Sequence, residues 1–417
     1  MNNIVKTTTL STLLLTNFIV SLSVSAGEFT LDSNDWRIRA LKIQNDIDLD
    51  VPLREGFRLG THNSFNAEEY ANAFRYVDPN QKLSLNDQLE AGVRRINFDV
   101  HEFFSFSTWK TELLLCHGTS NHWGCSSFDR RLIQGLNEVK SWLDKNPDQV
   151  IEIKIQDEMD GEHNEFIARV EESMGELVYR PNGGCSKVPA DLTDRDILNA
   201  GKQVYFTGNS ACNDDNYQSL VFKNHEGGLS YDRNEVLNGV CPENPESGIM
   251  SVSEDRTNLS GGSDDKTTNA SELLILMECG LNSTGLDMLG YTNSDRIAAA
   301  VWSWDVNEPN NAGSTSNEDC ALSRANGRFN DLNCTQIKSF ACENAQGDWY
   351  ITSSQGIWSE GMTICHAETN GVYQFSVPTS PYKNTKLVQA KESVSVDQVW
   401  LHYSDIAEEG KWEASHP

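Results

Sequence analysis

Three short stretches in the first third of the chain end in residues suited to acid–base chemistry. His62 and His117 each follow a short apolar run, and Asp99 lies inside a third run between them. One histidine can take a proton from an attacking hydroxyl while another gives a proton to a leaving oxygen. A carboxylate can orient a histidine or hold a divalent cation against phosphate oxygens. These residues therefore suit phosphoryl transfer.

The elements that must position these residues are predicted to be strands. Alternate residues of a strand point the same way, so Asn97, Asp99 and His101 line one face. The later run QVIEIKI also alternates and places Glu152 and Lys154 on the face opposite its isoleucines. In a closed barrel that face is the lumen, where charges at strand ends usually serve function.

Strands alternate with helices up to about residue 305, a pattern typical of a β/α barrel, although residues 208–270 are irregular and acidic. Asp305 follows the last predicted strand and either positions a substrate hydroxyl or caps a turn. The predicted strands are Phe57–Thr61, Val93–Val100, Trp109–Cys116, Gln149–Ile155, Val204–Thr207, Leu273–Met277 and Val301–Trp304. The predicted helices are Trp36–Ile43, Asn66–Phe74, Leu85–Ala91, Phe128–Lys145 and Phe166–Met174.

Composition and the N-terminus indicate where the protein works. The chain has 417 residues and a formal net charge of −28, which argues against nucleic-acid binding and against nonspecific adhesion to anionic membranes. A cationic Lys6, an apolar run over residues 10–20 and the small residues 24–26 predict a signal peptide over residues 1–26. Later apolar runs are too short to span a membrane. We therefore expect a secreted protein whose cysteines form disulfides.

The barrel segment resembles the X domain of phosphatidylinositol-specific phospholipases C over roughly residues 55–305. The stretches that carry the resemblance are Gly60–Ser64, Gly92–Asp99, Leu115–Gly118, Val150–Asp157 and Val301–Trp304. The resemblance implies an α/β fold, a distorted TIM barrel. It also implies cleavage of the glycerol–phosphate bond of phosphoinositides, with the inositol 2-hydroxyl attacking phosphorus.

The resemblance implies a role for each residue that matches the motifs. His62 corresponds to the general base for the hydroxyl, and His117 to the general acid for diacylglycerol. Asp99 corresponds to an aspartate that binds calcium or supports the base. Lys154, His101 and Asp305 are the expected substrate contacts; His101 stands where calcium-independent bacterial members have an arginine.

The resemblance also implies a calcium site, with departures. Asn63 matches a ligand of the metal-dependent members, and Asn97 stands where those members have an acidic ligand. The fourth-strand ligand has no secure counterpart; Glu152 is the first candidate and Gln156 the second. We expect Ca²⁺ to be held weakly by Asn63, Asn97, Asp99 and Glu152, because few of the ligands are charged.

The C-terminal third resembles the calcium-binding half of C-type lectin domains. The resemblance rests on Glu308-Pro309-Asn310-Asn311, Glu318-Asp319-Cys320, Gly327–Asp331, Cys334 and Phe340–Glu343. It implies a Ca²⁺ site formed by the oxygens of Glu308, Asn310, Glu318, Asn330 and Asp331 and completed by mannose-type sugar hydroxyls. The half that normally comes first follows here, from Trp358 to Leu401, so the domain is either permuted or a truncated second copy.

The cysteines give partly open pairing predictions. The lectin resemblance implies Cys320–Cys334 and Cys342–Cys365, and a disulfide that joins the two halves would support permutation. Cys116 and Cys125 can pair across the loop after His117. The remaining four have three possible connectivities, and they are Cys185, Cys212, Cys241 and Cys279.

Together these features predict a signal peptide at 1–26, a phospholipase C-like barrel at 27–305 and a lectin-like domain at 306–417. We expect phosphatidylinositol or a glycosyl-phosphatidylinositol (GPI) anchor as substrate, with cell-surface glycans as partners and peripheral membrane contact only. One alternative is a secreted lectin or adhesin with an inert barrel. Another is a phosphodiesterase that acts on another phospholipid or a glycerophosphodiester.

Overall fold

The computed structural model describes residues 34–255, 267–289, 295–311 and 317–414. Its N-terminal part alternates strands and helices, as the sequence predicts. The strands are β1 (Arg95–Ser105), β2 (Lys110–Leu115), β3 (Arg130–Arg131), β4 (Ile151–Glu158), β5 (Val204–Gly208), β6 (Val221–Phe222), β7 (Ser251–Ser253) and β8 (Ser283–Gly285). The helices are α1 (Trp36–Ile47), α2 (Leu85–Glu90), α3 (Leu132–Leu143), α4 (His163–Met174), α5 (Asp194–Asn199), α6 (Arg233–Leu237), α7 (Ala270–Glu278) and α8 (Asp295–Ala300).

Parallel pairing builds most of the barrel wall. β1 pairs with β4, β4 with β5 and β5 with β6, while β7 pairs with β8, all in parallel. Isoleucines of β4 point into the apolar layer under the helices, and Asp99 of β1 lies opposite Gln156 of β4 on the lumen side. The predicted α/β class with a distorted TIM barrel is confirmed.

The segment before His62 joins the first strand of the barrel wall, β1, to the last, β8. Gly60 forms a parallel bridge with Arg95, and Thr61 forms one with Leu286. A Cβ at Gly60 would lie 2.2 Å from the carbonyl oxygen of Thr284, so glycine permits this close approach. These two bridges close the barrel at this segment and place His62 at the barrel mouth.

The predicted third strand belongs to a hairpin rather than to the barrel wall. β2 runs antiparallel to the outer half of β1, from Val100 opposite Leu115 to Ser105 opposite Lys110. β1 is long enough to form a parallel strand of the barrel wall and then to extend beyond the rim. We call the hairpin of β2 and the outer half of β1 the arm. His117 follows β2 and so lies where this arm returns to the barrel.

Three predicted elements are wrong. Asn66–Phe74 is not a helix but contains one 3₁₀ turn, Glu68–Tyr70. Leu273–Met277 is not a strand but part of α7, which buries Leu273, Leu276 and Met277 and which Asn269 caps with its side chain. Val301–Trp304 is not a barrel strand either, since Trp304 makes a single bridge with Phe329 and the wall ends with β8.

The C-terminal part is rich in β-strands, and its described residues include two α-helices. Its main sheet has the order β10-β9-β14-β11-β12, with β15 beside β14 and β13 beside β11. The strands are β9 (Cys320–Ser323), β10 (Phe329–Leu332), β11 (Ser339–Glu343), β12 (Trp349–Ile351), β13 (Gln374–Phe375), β14 (Val399–Ser404) and β15 (Glu413–Ala414). The helices are α9 (Gly361–Thr369) and α10 (Pro381–Ser393).

Apolar packing is continuous across the predicted domain boundary at residue 305. Trp302 and Trp304 contact Phe329 edge-on, and Trp304 also packs on Trp412. The described residues all belong to one compact unit. The division at 305 stays a prediction, and the predicted signal peptide lies outside the described residues. None of the described helices is long and apolar enough to cross a bilayer.

All ten cysteines are paired. The three pairs expected from the sequence form, namely Cys116–Cys125, Cys320–Cys334 and Cys342–Cys365. The structure selects Cys185–Cys212 and Cys241–Cys279 from the three connectivities that the sequence left open. Disulfides on this scale are typical of proteins that fold in an oxidising compartment.

Candidate active site

His62 is held at the barrel mouth by its main chain and by one carboxylate. Its backbone N–H donates to the carbonyl of Leu286 at 3.0 Å, and its Nδ1 lies 3.1 Å from Oδ1 of Asp287. Asp287 is fully buried, whereas the His62 side chain keeps 16% of its surface exposed. The imidazole is therefore oriented from behind, as a catalytic base requires.

Asp287 is itself positioned by a buried charge pair. Its N–H donates to Glu254 at 2.8 Å, and the Arg296 guanidinium bridges that carboxylate and the Asp287 carbonyl. Sequence reasoning missed Asp287, because β8 before it spells Ser-Thr-Gly and lacks the apolar run of a recognisable strand. The only signal is that Leu286 and Asp287 follow this short polar strand.

His117 is placed by a disulfide loop and by an asparagine. The disulfide partner of Cys116 is Cys125, so the loop that follows β2 is closed directly before His117. Nδ1 of His117 lies 3.1 Å from Nδ2 of Asn66, which also donates to Asn80 Oδ1 at 2.7 Å. The contact between Asn66 and His117 was not predictable, because the sequence pattern around Asn66 predicts a helix.

Both histidines line one pocket of about 490 Å³ at the mouth of the barrel. The strand aspartate Asp99 forms part of its floor, and Gln156 lies opposite Asp99 in the register. Around the rim the lining is partly apolar, with Phe74, Tyr76, Val77 and Trp123. The pocket thus combines two imidazoles, a partly apolar rim and four carboxylates, which belong to Asp78, Asp99, Asp129 and Asp255.

The electrostatics of the two histidines differ. Burial alone would lower the pKa of His62, but the hydrogen bond and charge of Asp287 raise it above the usual histidine value. Burial, followed by the charge of His62, lowers the pKa of His117. A raised pKa makes neutral His62 a stronger base, and a lowered pKa makes protonated His117 a stronger acid.

Asp99, Asn63 and Asn97 form a compact polar cluster on the floor. One side-chain amide atom of Asn63 lies 2.8 and 3.1 Å from the two carboxylate oxygens of Asp99 and 3.1 Å from Oδ1 of Asn97. With the Asn63 nitrogen inward, the amide donates to these oxygens. The nitrogen-inward orientation satisfies the contacts of the amide without a metal, whereas with its oxygen inward four oxygens converge and would offer a bound Ca²⁺ part of the six to eight oxygens that it takes. These three residues therefore fit a weak cation site.

The family described as Rv2075c PI-PLC-like domain matches residues 22–235. The chain belongs to this family. It is 25% identical over 401 residues to the uncharacterized protein Rv2075c of Mycobacterium tuberculosis (strain ATCC 25618 / H37Rv), covering 88% of this chain and 80% of that one. It is also 30% identical to the PI-PLC X domain-containing protein At5g67130 of Arabidopsis thaliana over 112 residues, 26% of this chain and 24% of that one.

Solved phospholipases C resemble the PI-PLC-like domain more distantly. The phosphatidylinositol-specific enzyme of Listeria monocytogenes aligns with a TM-score of 0.43 at 14% identity, over 64% of this chain and 97% of that one. A calcium-dependent phosphoinositol-specific enzyme from Pseudomonas aligns with a TM-score of 0.36 at 15% identity, over 60% and 93% of the two chains.

Two predicted residues of the PI-PLC-like domain lie deeper in the barrel than expected. Glu152 contacts Thr207 at 2.7 Å, Arg95 at 3.3 Å and His225 at 3.5 Å. Although burial opposes it, His225, Arg95 and the hydrogen bond from Thr207 lower the pKa of Glu152 to about 2. Its contacts do not bring it to the Asn63 cluster. Lys154 lies opposite Asn97 in the register, and its charge acts on Asp99 and Glu152.

His101 and Asp305 do not line the pocket, contrary to the sequence prediction. His101 is buried beside the arm, where its Nδ1 lies 3.0 Å from Nδ1 of His122. Asp305 pairs with Arg324 at 2.6 Å on the C-terminal part. The prediction for His101 fails because the outer half of β1 leaves the barrel wall. The prediction for Asp305 fails because the chain after Val301 forms no strand of that wall. His122, whose Nε2 lies 2.9 Å from Oδ2 of Asp160, does not line the pocket either.

Exposed aromatic rings form a patch beside the pocket. We define the aromatic patch as Phe74, Phe104, Phe106, Trp109 and Phe128. Neighbouring rings in it lie 5.0 to 6.3 Å apart, and Trp109 is 74% exposed. Phe74 belongs both to the patch and to the pocket lining. The arm thus carries an apolar surface that continues into the pocket.

The predicted lectin-type ligands come together in the C-terminal part. Glu308, Asn310, Glu318 and Asn330 line one open depression of about 510 Å³. Asp331 accepts hydrogen bonds from the backbone of Asn310 at 3.0 Å and Asn311 at 2.6 Å. The Glu308–Pro309 peptide is cis.

Two carboxylates of this set are crowded. Burial and the neighbouring Asp331 raise the pKa of Glu308 to about 7. Within the described residues, Oε2 of Glu308 and Oδ1 of Asp331 are buried without a hydrogen-bond partner. Buried carboxylate oxygens normally have a donor or a cation. The donor set therefore fits a cation.

Proposed function

We propose that this protein is a secreted phosphodiesterase that cleaves phosphatidylinositol or a GPI anchor by two-histidine acid–base catalysis. The observation that carries the proposal is that His62 and His117 line the same pocket, with Asp287 behind the first imidazole. Membership of a PI-PLC-like family supports this reaction class. The five disulfides support export.

The proposed reaction needs one proton transfer at each histidine. His62 removes the proton of the inositol 2-hydroxyl, and the resulting oxygen attacks phosphorus. The bond from phosphorus to the glycerol oxygen breaks, and His117 supplies the proton to that oxygen. The products are a cyclic inositol phosphate and diacylglycerol, and Asp287 stabilises the imidazolium that forms at His62.

The cluster of Asn63, Asn97 and Asp99 is the proposed cation site of the barrel. A bound Ca²⁺ there would neutralise phosphate charge and favour ionisation of the attacking hydroxyl. The chain's own residues supply one carboxylate and two amides, a set with little charge. We therefore propose a weak calcium dependence of turnover.

The aromatic patch supports a bilayer as the place of reaction. Tryptophan rings, such as that of Trp109, favour the membrane interface, and large exposed apolar patches mark binding surfaces. A patch that continues into the pocket through Phe74 would place the rim against lipid while the head group enters. We propose peripheral contact with the bilayer, without a membrane span.

We further propose that the C-terminal part is a permuted C-type-lectin-like module that binds surface glycans through Ca²⁺. The ligand set of Glu308, Asn310, Glu318, Asn330 and Asp331 supports this assignment. Cys342–Cys365 joins the two lectin-like halves, which favours permutation over a truncated second copy. Glycan binding would raise the concentration of the barrel at a glycosylated membrane.

Release of water-soluble inositol phosphate from phosphatidylinositol vesicles tests the reaction. We expect His62→Ala and His117→Ala each to lower kcat/KM by about a thousandfold. His366→Ala, at an exposed position of α9, is the matched control and should keep full activity. Wild-type turnover in either active-site variant would refute the two-histidine mechanism.

Two other results would redirect the proposal. Cleavage of another phospholipid or a glycerophosphodiester, without cleavage of phosphatidylinositol, would retain the chemistry and change the substrate. No turnover on any phosphodiester, together with Ca²⁺-dependent retention on mannose resin, would favour an adhesin with an inert barrel. Retention that chelator does not reverse would count against the sugar site.

A further inference from the structure

An arginine lies among the proposed calcium ligands of the lectin-like module. Nη2 of Arg324 donates to Oε1 of Glu308 at 2.8 Å and also to Oδ1 of Asn330. Nη1 donates to Asp305 at 2.6 Å. Two of the five predicted ligands are thus bound to one guanidinium nitrogen, and that nitrogen carries the positive charge that an ion would supply.

Hydrogen bonds on both sides hold the backbone of Arg324 in place. Arg324 follows β9, and its N–H donates to the carbonyl of Arg328 at 2.8 Å across the turn to β10. Its own carbonyl accepts from the buried Lys391, whose ammonium also donates to Ser323 Oγ at 2.8 Å. The backbone of Arg324 is therefore held on both sides, and the contacts to Asp305, Glu308 and Asn330 hold the guanidinium of a side chain that is 37% exposed.

The guanidinium neutralises only part of the set. The side chains of Glu308 and Asp331 are nearly fully buried, at 3% and 2% residue exposure, and each keeps one oxygen without a partner among the described residues. Arg324 brings one positive charge to Glu308, whereas Ca²⁺ brings two charges and accepts six to eight oxygens. The site is therefore held together by the arginine but not saturated by it.

We propose that Arg324 is a built-in cation of this site, which holds Glu308 and Asn330 in place before metal binds and which Ca²⁺ must displace. The inference rests on the proposed calcium site of the module. Asp305 is not one of the five ligands, so it can keep Nη1 when Nη2 gives up Glu308 and Asn330. Arg324 thereby weakens calcium affinity and makes occupancy depend on the surrounding Ca²⁺ concentration.

Calorimetric titration of the full chain with Ca²⁺ tests the inference. Because displacement of the arginine opposes metal binding, we expect Arg324→Gln to lower the Ca²⁺ dissociation constant of the module about tenfold. Lys338→Gln is the matched control, since Lys338 lines the same depression but pairs with Gln398. It removes the same charge and should change the constant by less than about threefold.

The melting temperature separates displacement from a merely structural role. Without metal, Arg324→Gln should melt lower than the wild type, because Glu308 and Asp331 then repel each other without a neighbouring cation. With saturating Ca²⁺, the temperature gain of Arg324→Gln should exceed that of the wild type. A purely structural arginine would lower both the melting temperature and the calcium-induced gain.

The outcomes distinguish the inference from the proposed function. Equal calcium affinity in wild type and Arg324→Gln would overturn the role of Arg324 and leave the calcium site intact. Loss of the module's calcium signal in Glu308→Ala, with a tighter signal in Arg324→Gln, would support both. No heat assignable to the module in either the wild type or Arg324→Gln would overturn both the calcium site and its displacement. Asn63→Ala, in the barrel, assigns any heat that belongs to the other cluster.

Discussion

Oδ1 of Asp287 lies 3.1 Å from Nδ1 of His62, and the carboxylate is fully buried behind the imidazole. A buried carboxylate in this position holds the ring orientation and stabilises the imidazolium that forms when a proton arrives. The two residues are 225 positions apart in the chain, and the pairing that closes the barrel between its first and last strands brings them together.

The first prediction concerns this carboxylate. Asp287→Asn should lower kcat for vesicle-bound phosphatidylinositol by about a hundredfold and leave KM nearly unchanged, because Asp287 acts through His62 rather than on the substrate. Steady-state kinetics measure both constants. Asp397→Asn, at an exposed position after α10, is the control. Unaltered kcat in Asp287→Asn would show that His62 works without its carboxylate.

The aromatic patch gives the second prediction. Replacing Phe106 and Trp109 with serine should lower vesicle binding and vesicle turnover about tenfold or more, since the lipid loses two interfacial rings. Turnover of a short-chain, monomeric phosphatidylinositol should stay within about twofold of the wild type, since neither residue lines the pocket. Val394→Ser removes an exposed apolar side chain elsewhere and should change neither rate. Equal losses on both substrates would place the two rings in catalysis instead.

The third prediction concerns the cation cluster of the barrel. Asn97→Asp adds a second carboxylate next to Asp99 and should lower the Ca²⁺ concentration for half-maximal turnover about tenfold. Asp99→Asn should abolish any calcium response. Titration of activity with Ca²⁺ after chelation gives both values. Turnover that is indifferent to Ca²⁺ in the wild type and in Asn97→Asp would remove the metal from the mechanism.

Acid stability gives the fourth prediction. Glu152 has a folded-state pKa of about 2 against an ordinary 4.5, because Arg95 and His225 stabilise its charge within the barrel. Its ionisation contributes about 3 kcal/mol to the free energy of unfolding above pH 4.5, and this contribution disappears as the pH falls towards 2. Glu152→Gln should therefore melt well below the wild type at neutral pH and close to it near pH 2.

Thermal melts between pH 2 and 7 measure this difference. Glu409→Gln, at an exposed acidic position, should follow the wild type at every pH. If the melting temperature of Glu152→Gln lies below that of the wild type by the same amount at every pH, then the shape of the Glu152 side chain rather than its charge determines its contribution to stability.

Sequence patterns predicted the barrel where local periodicity agrees with the fold. The alternation of β4 and the helical spacing of α3 are strong, and both elements lie close to their predicted bounds. The run Leu273–Met277 fails because a short apolar run suits a buried strand and a buried helix face equally. Here the Asn269 cap decides for the helix.

The candidate site was predictable only in the part that short motifs carry. His62, His117 and Asp99 follow apolar runs, so their placement in one pocket follows from the strands. Asp287 follows a polar three-residue strand whose position is set by pairing with β7 and with the segment before His62, contacts between residues far apart in the chain. Asp305 also follows a short apolar run, but it lies beyond the last strand of the barrel wall.

The loop of His117 is closed by the Cys116–Cys125 disulfide. Such a bond forms where thiols are oxidised, so the closed loop that holds His117 depends on folding in an oxidising compartment. Comparing turnover before and after a thiol reductant measures this dependence, and unchanged turnover would show that the loop keeps its form without the bond. Under the proposed mechanism, a chain with Cys116 and Cys125 still reduced would carry its general acid on an open loop.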